Sequence, residues 1–392
     1  MTYHFIDALD VLHFRGNKLF GAAGSYGETA VLPRPSVVAG ALRSALLVHK
    51  GLRPEDYAQG KLANDPELGR PDTPGTFGIT HWHLAQREAN GQVTPLYPPP
   101  ADLVFSEDGN SVAAQRMRPQ PAFPGVETSA ATDKLAVLAQ PRRVKPAGGF
   151  WLNAEGWQCH LAGESVSARK HLVPINQLWA TETRIGIGLD TAQRSASTGQ
   201  LFSTEAVALR RRDHACGHEP AAPDTGFLVG TTGANLPDEL LLRLGGDGRA
   251  AVARQVAVQP PAPDLQAIAE RGQCRLILTS PGLFPQGWRP TGMSPDSALF
   301  ELGGVRGRLV CAAVPRAEVV SGWDLAKGQP KPAQRAASAG SVYWLEDLQA
   351  TADQLQALMA RGLWPDDTAD RPDGHPDPRR AEGYNRFVFA AY

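Results

Sequence analysis

The distribution of strand-like and helix-like segments predicts an α+β protein rather than a doubly wound α/β one. Three observations carry this. Beyond residue 203, strand candidates at 205–209, 226–231, 249–258, 274–280, 307–314 and 341–345 outnumber helix candidates at 237–244, 264–271 and 351–362. Many strands with few helices fit sheets covered by helices on one face. At 392 residues the chain is also long enough for two cores, and a division near Ser203 is expected, giving units 1–202 and 203–392.

The stretch 10–51 organises the first unit. A strand is expected over 3–13, where Phe5, Ile6, Leu9 and Val11 form an apolar run of strand length. Phe14-Arg15-Gly16-Asn17-Lys18 follows, then Gly21, Gly24 and Gly27. Closely spaced glycines let backbone N–H groups turn toward a ligand, because no Cβ blocks approach. Prolines 33 and 35 stop the loop, Ser36 is the expected N-cap of a helix over 37–50, and Gly51 ends it. Val38, Leu42 and Leu46 give that helix one apolar face. Arg43 could turn back toward the loop, where the helix N-terminus adds partial positive charge. Phosphate suits this corner; tight turns flanked by solvated arginines are the alternative. The G-x-x-x-x-G-K-[ST] order is missing, which excludes a P-loop nucleotidase.

Further along, 64–75 reads as a surface loop, and 76–86 with 92–97 as a hairpin. Pro98-Pro99-Pro100 halts its ladder, and 101–105 is another strand. Residues 106–141 show little period and read as long loops with isolated short elements. Structure resumes at 148–152, with a turn at Ala154-Glu155-Gly156. Trp151 and Trp157 read as core or interface aromatics. In Glu182-Thr183-Arg184-Ile185-Gly186-Ile187-Gly188-Leu189-Asp190 two glycines alternate with isoleucines. This predicts a strand with one bare face that another backbone or a nucleotide can approach. The small polar run 191–198 around Arg194 then leads into a returning strand, which makes an extended hairpin or flexible finger. Gly245-Gly246-Asp247-Gly248-Arg249 is either a phosphate cradle or a hairpin turn. Residues 365–380 read as a Pro/Asp-rich surface insertion, and 383–392 as a final strand.

Hydrophobic residues make up 42% and charged residues 20%, as in globular rather than disordered proteins. No apolar run reaches membrane-spanning length and no signal-peptide order opens the chain, so a cytoplasmic location is expected. Cys159, Cys216, Cys274 and Cys311 lie far apart without C-x-x-C, which predicts reduced thiols. A net charge of −1 excludes a chain basic over its whole surface. Local basic faces remain open through Arg142-Arg143-Val144-Lys145, Arg210-Arg211-Arg212, and Lys327 with Lys331 and Arg335.

Seven strings in consistent order carry a resemblance: LHFRGNKLFGA (12–22), PRPSVVAGALRSAL (33–46), PPADLVF (99–105), WLNAEG (151–156), ETRIGIGLD (182–190), GWDLAKGQPKP (322–332) and AGSVYWLE (339–346). The chain resembles the third-subunit family of the Cmr module, RAMP-superfamily proteins of type III-B CRISPR effector complexes. The resemblance implies two ferredoxin-like, RRM-related modules that grip the repeat-derived 5′ handle of the guide RNA. It also implies contacts with the large polymerase-like subunit and the adjoining backbone RAMP subunit, no cofactor, and a finger at 190–199 that wedges between handle and guide. The glycine and basic positions that fit such a grip, and are expected to contact RNA, are Arg15, Lys18, Gly21, Gly24, Ser36, Arg43, Arg184, Gly186, Gly188, Arg194, Lys331 and Arg335. One departure is that Glu382-Gly383-Tyr384-Asn385-Arg386 offers a single glycine where such proteins often carry a dense glycine-rich loop.

Other classes stay in view. Guide-RNA-processing ribonucleases of the superfamily need an acid and a base at one phosphate. His13, Tyr26 and His49 flank the glycine corner, but neither histidine has a partner at recognisable spacing. Asp213-His214-Ala215-Cys216-Gly217-His218-Glu219 collects zinc-ligand types at no standard zinc spacing. A protein-binding scaffold would share the fold without needing the basic corner. The expectation is a non-catalytic binder of guide RNA.

Overall fold

A computed structural model describes residues 1–14, 26–27, 32–62, 65–108, 111–125, 127–128, 132–139, 145–190, 192–211, 223–324, 328–365 and 376–392. Two antiparallel sheets organise them. The first runs in the order Glu239–Leu244, Arg249–Val256, Thr2–Ala8, Asp224–Thr232, Gly78–Arg87, Val93–Leu96. The helix Pro35–His49 buries Val38, Leu42 and Leu46 in one core with Ile6, Trp82 and Phe227. On the opposite face Tyr3, Phe5, Ala85 and Leu228 form a separate buried cluster. Three strands of this sheet, from Asp224 to Val256, lie beyond the division expected near Ser203, because the central strand Thr2–Ala8 pairs with two of them.

The second sheet runs Leu299–Leu302, Val305–Ala313, Val342–Gln349, Cys274–Leu278, Phe387–Ala390. Alternation along its strands divides the side chains between two cores. Cys274, Leu276 and Leu278 pack with Ile268, Leu355 and Leu358 of the helices Leu265–Arg271 and Ala352–Arg361. Ile277, Val342, Trp344 and Val388 pack on the other face with Tyr97, Phe105, Leu152, Trp157 and Leu161. The long excursion between Leu96 and Leu178 thus roofs a sheet formed by the far half of the chain. This is why all five residues of Cys274–Leu278 are buried.

The same alternation sends Arg275 into that roof with no solvent exposure. Its Nε donates to the Ala391 carbonyl (2.7 Å) and its Nη1 to Asp102 Oδ2 (2.7 Å) and His160 Nε2 (2.7 Å). A guanidinium has only donors, so His160 Nε2 accepts and the imidazole is neutral. Burial, followed by the attraction of Asp102, sets the His160 balance, and its pKa is lowered. Burial works to raise the Asp102 pKa, but the Arg275 guanidinium paired with it overrides this and holds the carboxyl well below the carboxylate range.

Three local expectations are corrected. Residues 237–244 form no helix: Leu240, Leu242 and Leu244 alternate inward while Leu241 stays exposed, which is strand period, and Glu239–Leu244 pairs with Arg249–Val256. Ala154-Glu155-Gly156 opens the helix Ala154–Ala162 rather than a turn, because Asn153 Oδ1 accepts from Gly156 N (2.8 Å) and Gly163 takes the left-handed C-terminal position. Ser36 is no N-cap. The helix starts at Pro35, whose fixed φ and missing N–H suit the first position, and Arg34 precedes it without a side-chain cap. Gly245–Arg249 is a hairpin turn in which Gly245 (φ +78°) lies against the His13 carbonyl, to which Gly246 N donates at 2.7 Å. Among the described residues no helix is long and apolar enough to cross a membrane.

Asp102→Ala leaves the Arg275 charge buried without its carboxylate, and is expected to cost about 3–5 kcal/mol in a urea titration of the full chain. Acid acts elsewhere. His81 and His83 lie between the rings of Tyr3 and Tyr97, and burial lowers their pKa to about 4 and about 3. A group whose folded pKa is depressed contributes fully above its unfolded value, near 6.5, and loses that contribution as pH falls toward the folded value. Stability should therefore decline below about pH 6.5, and His83→Phe should flatten that decline by up to about 1.4 kcal/mol per pH unit. Unfolding curves between pH 4 and 8 measure it.

Candidate nucleic-acid interface

The Pro35–His49 helix and the short helix Arg379–Glu382 meet where the two sheets adjoin. Gly383, at φ +89°, leaves the short helix in a left-handed conformation, and a Cβ there would lie 3.1 Å from Ile79 of the first sheet. Glycine is needed at this approach. Tyr384 is buried and its hydroxyl lies 3.3 Å from Ser36 Oγ; burial pushes its pKa to about 12. Glu382 is buried too. Desolvation raises its pKa, against the pull of Lys331, Arg43 and Arg379, and Lys331 Nζ stands 3.8 Å from its Oε1. The Arg43 guanidinium lies over the Phe77 ring, 5.7 Å from its centroid.

Arg335 continues this basic region. It lines a cleft with Trp364, Asp377 and Arg379; Arg379 is tied to Asp377, and Arg380 lies over the Trp364 ring at 5.4 Å. Ser36, Arg43, Lys331 and Arg335, far apart in sequence, are thus gathered around the C-terminal segment. Arg34, Trp364, Arg379, Arg380 and Tyr384 complete the region, and sequence reasoning missed them. The Pro-Arg-Pro entry to the first helix was the available signal for Arg34. Nothing local marked the others as functional: Trp364, Arg379 and Arg380 meet partners in their own segment, and Tyr384 reaches the opposite half, at Ser36.

The finger is a long hairpin of Trp179–Asp190 and Ser195–Leu209. Leu12 bridges to Val207 at its base, and Tyr26–Gly27 pairs in parallel with Ser203–Thr204. At the tip Asp190 Oδ1 accepts from Ala192 N and Gln193 N, and Arg194 adopts φ +53°. Arg184 is exposed and pairs with Glu182 (3.2 Å). The glycine face is not bare. A Cβ on Gly186 would fall 2.4 Å from the Phe202 ring, and one on Gly188 would meet the Gln200 side chain. The opposite face exposes Ile185, Ile187, Leu189 and Leu201.

Arg15, Lys18, Gly21, Gly24, the Arg142-Arg143 cluster, Arg212, Lys327 and the 213–219 cluster with Cys216 lie outside the described residues. Among the described residues no group of three or more His, Cys, Asp or Glu could hold a metal ion. His13 Nδ1 lies 3.1 Å from the Glu205 carbonyl and its Nε2 lies 3.5 Å from Arg249, while His49 is exposed at its helix end.

A family model described as CRISPR-associated protein (Cas_Cmr3) matches residues 4–388. The chain belongs to the Cas_Cmr3 family. No curated protein matches it. Among solved structures it is similar to a chain of the Type III-B Cmr-beta bound to cognate target RNA and AMPPnP, with 15% identity and a TM-score of 0.48 over 98% of this chain and 95% of that one. A chain of the Cmr-beta bound to cognate target RNA gives 14% and 0.44 over 87% and 86%. One from the apo state gives 13% and 0.26 over 65% and 96%. In this family member, then, the basic region and the finger are the features to explain.

The two hairpin faces predict opposite responses. Ile187→Glu on the exposed face should change stability by no more than about 0.5 kcal/mol. Gly186→Leu must expel the Phe202 ring and should loosen the ladder, read as faster amide exchange over 195–209. Equal exchange in the two variants would contradict this packing.

Proposed function

We propose that the protein is a non-catalytic RNA-binding subunit of a type III-B CRISPR effector complex. In this reading it grips the repeat-derived 5′ handle of the guide RNA and docks the large polymerase-like subunit and a neighbouring backbone RAMP subunit, in the cytoplasm. Family membership supports the class. The observation that carries RNA binding is the gathering of Arg34, Arg43, Lys331, Arg335, Arg379 and Arg380 around one joint where, among the described residues, the carboxylates are Asp377 and Glu382.

The strand orders support a ferredoxin-like reading of both halves. Taken in chain order, Thr2–Ala8, Gly78–Arg87, Asp224–Thr232 and Arg249–Val256 lie as 4-1-3-2. So do Cys274–Leu278, Val305–Ala313, Val342–Gln349 and Phe387–Ala390. Each module keeps one helix of a βαββαβ unit, Pro35–His49 in the first and Ala352–Arg361 in the second. We place their division between Val256 and Leu265. Because both faces of each sheet carry buried clusters, the usual RRM platform of open-sheet aromatics is closed. The grip falls to the joint, the loops beside it and the finger. Arg184, Arg194 and the glycine corner with Arg15 and Lys18 act as further phosphate contacts in this reading.

Cleavage is assigned to other subunits. The described histidines beside the glycine corner are a ring facing a backbone carbonyl and Arg249, and an exposed helix-end residue, not an acid and base sharing one phosphate. The lone protein should bind single-stranded handle RNA and leave end-labelled RNA intact with or without divalent metal. Lys331→Ala with Arg335→Ala should reduce the slope of log affinity against log salt by about 0.7 for each phosphate that is no longer neutralised. An unchanged slope would remove the joint from the RNA site. Specific cleavage abolished by replacing His13 or His49 would overturn the non-catalytic assignment.

A further inference from the structure

A cleft of about 500 Å³ opens on the second module between Trp288, Ala312, Val314, Ala317 and Arg335, with Thr132 from the long excursion on its wall. This lies within the roughly 300–1,000 Å³ of small-molecule sites. The Trp288 indole is held parallel, within 2°, to the buried ring of Tyr343, whose hydroxyl donates to the Trp288 carbonyl at 2.6 Å. One flat aromatic is thereby fixed before any ligand arrives. The aliphatic walls are small. At the lip stands exposed Arg335, on a short strand opposite Val319, and among the described residues no carboxylate pairs with it. Arg335 also lines the cleft that holds Trp364 and Arg379, so this site shares a wall with the basic joint.

We infer that this cleft takes a single unstacked nucleotide of the bound RNA, with the base against Trp288 and its phosphate on Arg335. The inference rests on the RNA-binding reading above and adds to it the position where one base leaves the strand. A flat ring beside aliphatic walls favours a π-face, and the exposed cation at the mouth favours an anion joined to it. A base inside a duplex could not enter, because it is stacked on both faces.

The test is an abasic scan of the handle RNA against the full-length protein. Ala317→Trp, at an exposed position on the lip, fills the cleft, and Arg335→Glu reverses its charge; both sites are exposed, so the fold should tolerate either change. In the parent, removing the base at one position should weaken binding roughly tenfold. In either variant that same removal should have little further effect, while abasic changes elsewhere act as in the parent. An identical scan in all three proteins overturns the proposal and leaves the RNA-binding reading intact. Failure of the parent to bind handle RNA overturns both. A flat scan with AMP or UMP bound by the parent but not by Ala317→Trp assigns the cleft to a free nucleotide and overturns the RNA proposal. A flat scan with complex assembly abolished in Ala317→Trp assigns it to a protein side chain and overturns it too.

Discussion

A guanidinium without solvent needs acceptors for its donors, and Arg275 finds them in two distant parts of the chain. Asp102 and His160 belong to the excursion that leaves the first sheet after Leu96; the Ala391 carbonyl belongs to the C-terminus. Leaving any of these groups unmet in a dry layer costs several times what the pairing gains in water. The triad therefore sets the position of the roof on the second sheet more than it adds stability. With the roof in place, the far half of the molecule carries the insertion of the near half, and the two modules cannot separate without uncovering a charge.

The second dependence is the joint beside the Arg379–Glu382 helix. The C-terminal segment crosses back onto the first sheet, with Gly383 against Ile79 and Tyr384 against Ser36. The crossing buries Glu382 among cations from both halves. A buried carboxylate with several cations around it keeps those cations together while leaving positive charge over. The cluster of positive charge is thus produced where segments from the two ends of the chain meet.

The finger illustrates how a glycine pattern can mislead. Alternating glycines imply a bare strand face, yet in a hairpin the facing strand supplies side chains to fill it, here Phe202 and Gln200. The face left uncovered is the aliphatic one. For an element projecting from the sheets, this places its apolar surface where a neighbouring molecule would meet it.

The amino-acid sequence by itself determined the local elements whose signals lie within a few residues of each other. It gave away the α+β class, the two helices that begin near Asp264 and Thr351, the long hairpin, and the first helix with its apolar face. It also carried the family, because seven ordered strings survive without any knowledge of the fold. Only the tertiary structure decided which strands share a sheet, since pairing of Thr2–Ala8 with strands some 220 to 250 residues away is a non-local contact with no local trace. It decided that Glu239–Leu244 is a strand, because a partner rather than propensity selected between two readings of one leucine run. And it decided which cations stand together: Arg43 lies nearly three hundred residues from Lys331 and Arg335 in the chain, and their common field exists only once Tyr384 and Glu382 have docked between them.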